Sequence, residues 1–268
     1  MILISIHIYK TAGTTFYSII DRIFKRNQIV NANIEGLEKC EQALKNNRLE
    51  NKESIKIIHG HFSFGWHTYF STPVQYISFL RDPVNRVVSD YFYNKAFSQG
   101  HNHSYASKMT LEEYVNCDKI LDMDNGQTRS IAGDYNTPYG QCTSEMLALA
   151  KKNIDSMFLF VGLTEKFDDS LMLINYYLGW KKIYYTNKNV TRKKTRVLTS
   201  QQRTIIDQRN KLDNELYQYV SLQFEDKKND IPLFTCRLIL FKVYNFMYKI
   251  IHPVYRSIKS IKAIKAIK

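Results

Sequence analysis

The sequence predicts an α/β fold with a central parallel sheet and helices on both of its faces. Three observations carry this. Short runs at 2–8, 55–59, 75–80 and 158–163 are rich in Ile, Phe and Val and largely lack polar alternation, as expected for strands buried on both sides. Stretches with helical start signals alternate with these runs, which is the order of a βαβ sheet. The chain has 268 residues, 44% of them hydrophobic and 24% charged, enough to bury one large α/β core and too apolar for disorder.

The elements follow in order. Residues 2–8 form the first strand, which leads into a Thr/Gly loop at 10–15 and a helix over 16–26. Residues 27–54 mix acids and bases and read as helix and loop. The strand 75–80 runs into Pro83, which sits where the first turn of a helix tolerates proline. Thr110 with Glu113, and Thr199 with Gln202, have the spacing of capping boxes, the second opening a long helix towards Glu225. Helices are expected over 144–155 and 165–178, and a short strand over 183–186. The division is a body of 1–230 and a basic amphipathic tail of 231–268.

Charge and composition narrow the function. The net charge of +13 favours anionic partners: a phosphorylated ligand, an acidic glycan, nucleic acid or a membrane surface. Eight basic residues and no acid follow Asp230, which leaves about +5 for the body. The 19 tyrosines suit contacts to sugars and bases, and equally suit an ordinary core. Cys40, Cys117, Cys142 and Cys236 form no CxxC pair and no zinc spacing, so free thiols in a reducing compartment are expected. The start of the chain reads as a core strand rather than a signal peptide. The longest apolar stretch, 238–251, is broken by Lys242, Asn245 and Lys249 and is too short to span a bilayer. A cytoplasmic protein is expected, peripheral on the inner membrane face if the tail docks there.

The segment Lys10-Thr11-Ala12-Gly13-Thr14-Thr15 lies between a strand and a helix, where unpaired amides and the positive end of a helix dipole face outward. Gly13 allows close approach, Lys10 brings a mobile charge, and the threonines bring hydroxyl donors. The loop suits a phosphate, although the same residues make an ordinary strand–helix turn. It is not a Walker A loop, since its Lys precedes the Gly. Further on, Arg81 ends a strand and Ser89 stands two turns into the Pro83 helix, so both can face one phosphate dianion.

Together these segments resemble the sulfotransferase superfamily, and more narrowly the heparan sulfate 2-O- and 6-O- and uronyl sulfotransferases with their bacterial relatives. The Lys10 loop resembles the family's 5′-phosphosulfate loop. Arg81 and Ser89 resemble its 3′-phosphate pair, with the same spacing. The stretches His59-Gly60-His61, Asn125-Gly126-Gln127-Thr128-Arg129, and Leu198 through Tyr217 resemble three more of its motifs in the family order. The resemblance covers about residues 2–225. Tyr9 departs from it, since relatives commonly carry Pro there.

The resemblance implies a P-loop-like three-layer fold and transfer of a sulfuryl group from 3′-phosphoadenosine-5′-phosphosulfate to a hydroxyl of an acidic or neutral glycan, by in-line displacement. Lys10 would offset charge on the leaving phosphate, and residues 10–15, Arg81 and Ser89 would hold the donor. His61 is the general base the family segment points to, with His59 or a purely structural histidine as alternatives. His59, Gln127 and Arg129 are candidates for touching the acceptor, the last two equally for locking or packing the site. Arg192 and Lys193, in a basic loop, either fold over the adenine and 3′-phosphate or belong to a solvated charge run. Arg86 reads as structural, paired with an acid. His101 and His103 lack matching acidic or Cys partners, so no metal is expected. A P-loop-like kinase using ATP is the first alternative, disfavoured by the missing Walker Lys and the lack of a clear metal-binding acid. A nucleic-acid-binding protein is the second, disfavoured because no such module is visible and much of the charge lies in the tail. The tail residues Lys242, Asn245, Lys249, His252 and Arg256 recur at helical spacing, which suits an anionic membrane, a partner, or a helix packed on the body, with a kink at Pro253.

Overall fold

The computed structural model describes residues 1–33, 36–46, 52–186 and 197–265, with 253–265 described through their backbone only. Five strands, β1 (Ile2–Ile6), β2 (Ile29–Asn31), β3 (Ile57–Gly60), β4 (Val74–Leu80) and β5 (Phe158–Leu163), form one sheet in the order β2-β3-β1-β4-β5. Every pairing is parallel. All five residues of β1 are buried, as are all four of β3, which explains why these strands read as unbroken apolar runs.

The helices are α1 (Gly13–Ile23), α2 (Leu37–Lys45), α3 (Pro83–Ala96), α4 (His103–Ala106), α5 (Leu111–Val115), α6 (Gly126–Ala132), α7 (Ser144–Met157), α8 (Phe167–Leu178), α9 (Ser200–Arg209), α10 (Lys211–Asn229) and α11 (Phe234–Lys265). α1 buries Phe16, Ile19 and Ile20 along one stripe. Phe79 of β4 meets Phe16 at 5.0 Å and Phe167 at 5.2 Å, so α1 and α8 share one face of the sheet. α7 packs on β4 and β5 and carries α6 and α10 against it, completing a three-layer arrangement. A second apolar cluster, including Val87, Tyr114 and Ile206, fills the space between α3, α5 and α9.

Local signals set the boundaries. Asp82 caps α3 by accepting from the Asn85 amide at 2.8 Å, with Pro83 at the first helical position. Both capping boxes form, at Thr110 and at Thr199.

Three expectations are corrected. β2 exists within the stretch read as helix and loop. Residues 183–186 are not a strand: Ile183 and Tyr185 are buried beside α11, and the Tyr185 amide donates to Asn245 Oδ1 (2.8 Å) instead of to a neighbouring strand. The single helix expected from Thr199 is two, divided at Asn210, whose buried side chain donates to the carbonyls of Ile206 and Met123 at 3.0 and 3.1 Å. α11 itself continues through Pro253 to Lys265.

The topology places the site. From β1 the chain turns towards β2, while from β4 it turns the other way, towards β5. The carboxyl ends of β1 and β4 therefore flank a crevice, the usual ligand position in an open α/β sheet.

Candidate functional site

A cavity of about 760 Å³ opens at that crevice, and its lining includes Lys10, Gly13, Thr14, Thr15, His61, Arg81 and Ser89. Residues that the sequence places on three different strand ends thus converge. The loop after β1 is bent by positive φ at Lys10 (68°) and Ala12 (65°). Thr11 is buried and its hydroxyl donates to the Ile8 carbonyl at 2.8 Å, so it shapes the loop from within. Ala12 is the N-cap of α1 and has no side-chain oxygen to spend on the first-turn amides. Those amides carry the positive end of the α1 dipole at the cavity wall. Gly13 is required here by space: a Cβ on it would stand 1.8 Å from Cδ2 of His7.

Lys10 Nζ rests 3.5 Å from the centroid of the Tyr93 ring. Burial, with a smaller contribution from Arg81, pulls its pKa down to about 8, against an opposing pull from Asp90. Arg81 is held on three sides. Its Nη1 donates to the Lys10 carbonyl (3.0 Å), its amide donates to Gln127 Oε1 (2.9 Å), and its carbonyl accepts from Gln127 Nε2 (2.9 Å). Its Nε is buried without a hydrogen-bond partner and lies 3.9 Å from Glu165, a distant ion pair. A fixed cation lining the cavity, beside a helix N-terminus with no side-chain cap, suits an anionic ligand. Ser89 lines the cavity from α3.

Gln127 is in turn fixed from the far side. Asp213 of α10 accepts from the amides of Gln127 (3.1 Å) and Thr128 (2.7 Å) and from the Thr128 hydroxyl (2.8 Å). Arg86, wholly buried, lies 3.7 Å from the same carboxylate, which gives it the structural pairing expected of it.

His61 Nδ1 lies 2.6 Å from the carbonyl oxygen of His7. A carbonyl only accepts, so Nδ1 carries the ring proton and Nε2 keeps its lone pair. Burial pulls the pKa of His61 down to about 4, opposed by that hydrogen bond. The ring lies in a column, stacked on His7 at 4.0 Å and on Tyr9 at 3.8 Å, with His101 stacked beyond Tyr9 at 4.1 Å. Tyr9, the departure from the family pattern, therefore covers one face of the imidazole.

Three candidates for acceptor contact are buried. His59 is 1% exposed, bonds Ser5 Oγ through Nδ1 at 2.9 Å and is pulled down to about 3 by burial. Gln127 is enclosed and spends its amide on Arg81. Arg129 is enclosed too, paired with Asp124 at 2.6 Å and donating to the Thr137 and Pro138 carbonyls. All three side chains bond to groups of the protein itself. Arg192 and Lys193 lie outside the described residues. No cluster of three or more His, Cys, Asp or Glu that could hold a metal occurs among the described residues.

The sulfotransferase domain family matches the chain over residues 9–171. The chain belongs to the sulfotransferase family. This sulfotransferase is similar to human uronyl 2-sulfotransferase, with 29% identity over 221 residues, covering 70% of the chain and 54% of that relative. It is also similar to mouse heparan sulfate 2-O-sulfotransferase 1, with 24% identity over 289 residues, covering 94% of the chain and 79% of that relative. The chain spans about half the length of the uronyl relatives it matches.

Several residues around the cavity were missed in the sequence. Tyr93 falls one helical turn after Ser89, a spacing that could have found it. Asp213 lay within the family-like stretch but carried no local sign of its partner. Lys242 reaches the cavity from α11, a contact only the tertiary fold discloses.

Proposed function

We propose that this sulfotransferase moves the sulfuryl group of 3′-phosphoadenosine-5′-phosphosulfate onto a hydroxyl of a glycan. The observation that carries the reading is the convergence of the Lys10 loop, Arg81, Ser89 and His61 in one cavity. In this reading the first turn of α1 and Lys10 take the 5′-phosphosulfate, and Arg81 with Ser89 take the 3′-phosphate.

His61 Nε2 accepts the proton of the acceptor hydroxyl as the oxygen forms its bond to sulfur. The bond between sulfur and the bridging oxygen breaks, and adenosine-3′,5′-bisphosphate leaves with the electron pair. Lys10 offsets the charge growing on that oxygen. The His7 carbonyl stabilises the imidazolium that results. A base with a pKa near 4 is a weak one. The bound donor, a polyanion, raises the pKa of His61 and of Lys10 by favouring their charged forms.

The names of the relatives, uronyl and heparan sulfate sulfotransferases, support an acidic polysaccharide acceptor, and neutral glycans remain within the class. Cys117, Cys142 and Cys236 carry free thiols, which fits a reducing compartment such as the cytoplasm. Nucleic acid and metal have no part in this reading.

The test is incubation with labelled donor and a panel of acidic and neutral polysaccharides, followed by mass analysis. Addition of sulfate to a glycan is expected. Calorimetry with adenosine-3′,5′-bisphosphate, ATP and a DNA oligomer separates the alternatives. Tight binding of ATP with magnesium, or of DNA, in preference to the bisphosphate would overturn the proposal.

A further inference from the structure

α11 has two apolar faces. One packs on the body through Phe241 and Asn245, which are 5% and 3% exposed, with Asn245 accepting the Tyr185 amide. The opposite face is open: Ile239, Leu240, Val243, Phe246, Met247 and Ile250 follow one another at helical spacing, and Phe246 is 65% exposed. A contiguous outward stripe of this kind on a helix already docked is a binding surface in need of an occupant.

The charge pattern identifies it. No acid follows Asp230 in the sequence, and Arg237, Arg256, Lys259, Lys262, Lys265 and Lys268 make the run basic, while Lys242 lines the cavity and Lys249 Nζ lies 4.7 Å over the Tyr185 ring. A second copy paired through this face by a two-fold axis would lay cations against cations with no carboxylate between them. No helix among the described residues is long and apolar enough to cross a membrane.

We propose that α11 lies along an anionic lipid surface, its open apolar face in the headgroup boundary and those of its basic residues that do not face the body on lipid phosphates. The inference goes beyond the catalytic reading and stands without it. Because Lys242 lines the cavity, docking holds the cavity about one helix diameter, ~10 Å, from the headgroups.

The test uses the full chain in co-sedimentation with vesicles of equimolar phosphatidylglycerol and phosphatidylcholine, and with phosphatidylcholine alone. Binding to the anionic vesicles, weakening as salt rises, is expected, with little on neutral ones. The double variant Phe246→Asp, Ile250→Asp should lose at least tenfold in vesicle affinity while still binding adenosine-3′,5′-bisphosphate. No binding by the unmodified chain, equal binding to neutral vesicles, or unchanged binding by a bisphosphate-competent variant would each overturn the proposal. So would a dimer in solution that the double variant splits, with no vesicle binding, since the face would then join two copies. The salt series on the unmodified chain decides the matter if the variant fails to fold.

Discussion

The imidazole of His61 is tied to the backbone of His7, its Nδ1 2.6 Å from the His7 carbonyl oxygen, which fixes the tautomer of the candidate base. His61→Ala should therefore cost about 10²–10⁴-fold in turnover while leaving affinity for adenosine-3′,5′-bisphosphate nearly intact. His61→Gln serves as the packing control, and turnover close to wild type in either folded variant would remove His61 from the chemistry.

The pH profile has a stated sign at each end. His61 works as a base only when neutral, and its pKa is pulled down to about 4, so kcat/KM for the donor should fall only as pH drops towards 4. Lys10 works only when charged, and its pKa is pulled down to about 8, so the same parameter should fall as pH rises through 8. The limbs of kcat should both lie higher, because the bound polyanion favours both cations. Lys10→Arg should move the alkaline limb out of range. An alkaline limb that stays near 8 in that variant would assign it to another group.

Arg81→Ala or Ser89→Ala should weaken adenosine-3′,5′-bisphosphate more than adenosine-5′-phosphate. A hydrogen bond to a charged group is worth about 1.5–3 kcal/mol, so the difference should be at least about tenfold for Arg81. Calorimetry with the two nucleotides measures it, and equal weakening would place the 3′-phosphate elsewhere.

Gln127 is buried, and it grips the Arg81 amide and carbonyl at 2.9 Å each. Gln127→Ala should weaken bisphosphate binding through the loosened Arg81, with little change in adenosine-5′-phosphate binding. Gln127→Glu keeps the acceptor but sets a carboxylate against the Arg81 carbonyl, and should fare no better. A pure loss of thermal stability, with the ratio of the two affinities unchanged, would make Gln127 a packing residue only.

Gly13→Ala should reduce turnover by driving a methyl group into the His7 ring, at 1.8 Å from Cδ2. The His61 bond goes to the His7 backbone, so truncating the ring leaves it available. The double variant His7→Ala, Gly13→Ala should accordingly recover part of the lost turnover in the same assay. No recovery would mean that the methyl group obstructs the donor itself.

The fold was legible where one physical signal dominated. β4 and β5 were found with boundaries within a residue because buried parallel strands are apolar throughout. β2 was missed because only Ile29 and Val30 of its three residues are apolar, and its neighbours are polar. Residues 183–186 misled because burial beside α11 selects the same apolar residues as a strand does. That Lys10, Arg81, Ser89 and His61 meet at one cavity was legible from motif order. The interior status of His59, Gln127 and Arg129 was not, since a polar side chain gives no sign in sequence of whether its partner is a ligand or the protein's own backbone.

The grip on Arg81 has a consequence for how the protein is made. Gln127 follows Arg81 by 46 residues, and Asp213, which anchors the Gln127 and Thr128 amides, follows Gln127 by 86. A chain leaving the ribosome from its amino end therefore exposes β1, the Lys10 loop and β4 well before the residues that hold the arginine in place arrive. The support of the arginine matures last, on release of α10, so a nascent or prematurely ended chain would carry the Lys10 loop with Arg81 still unsupported.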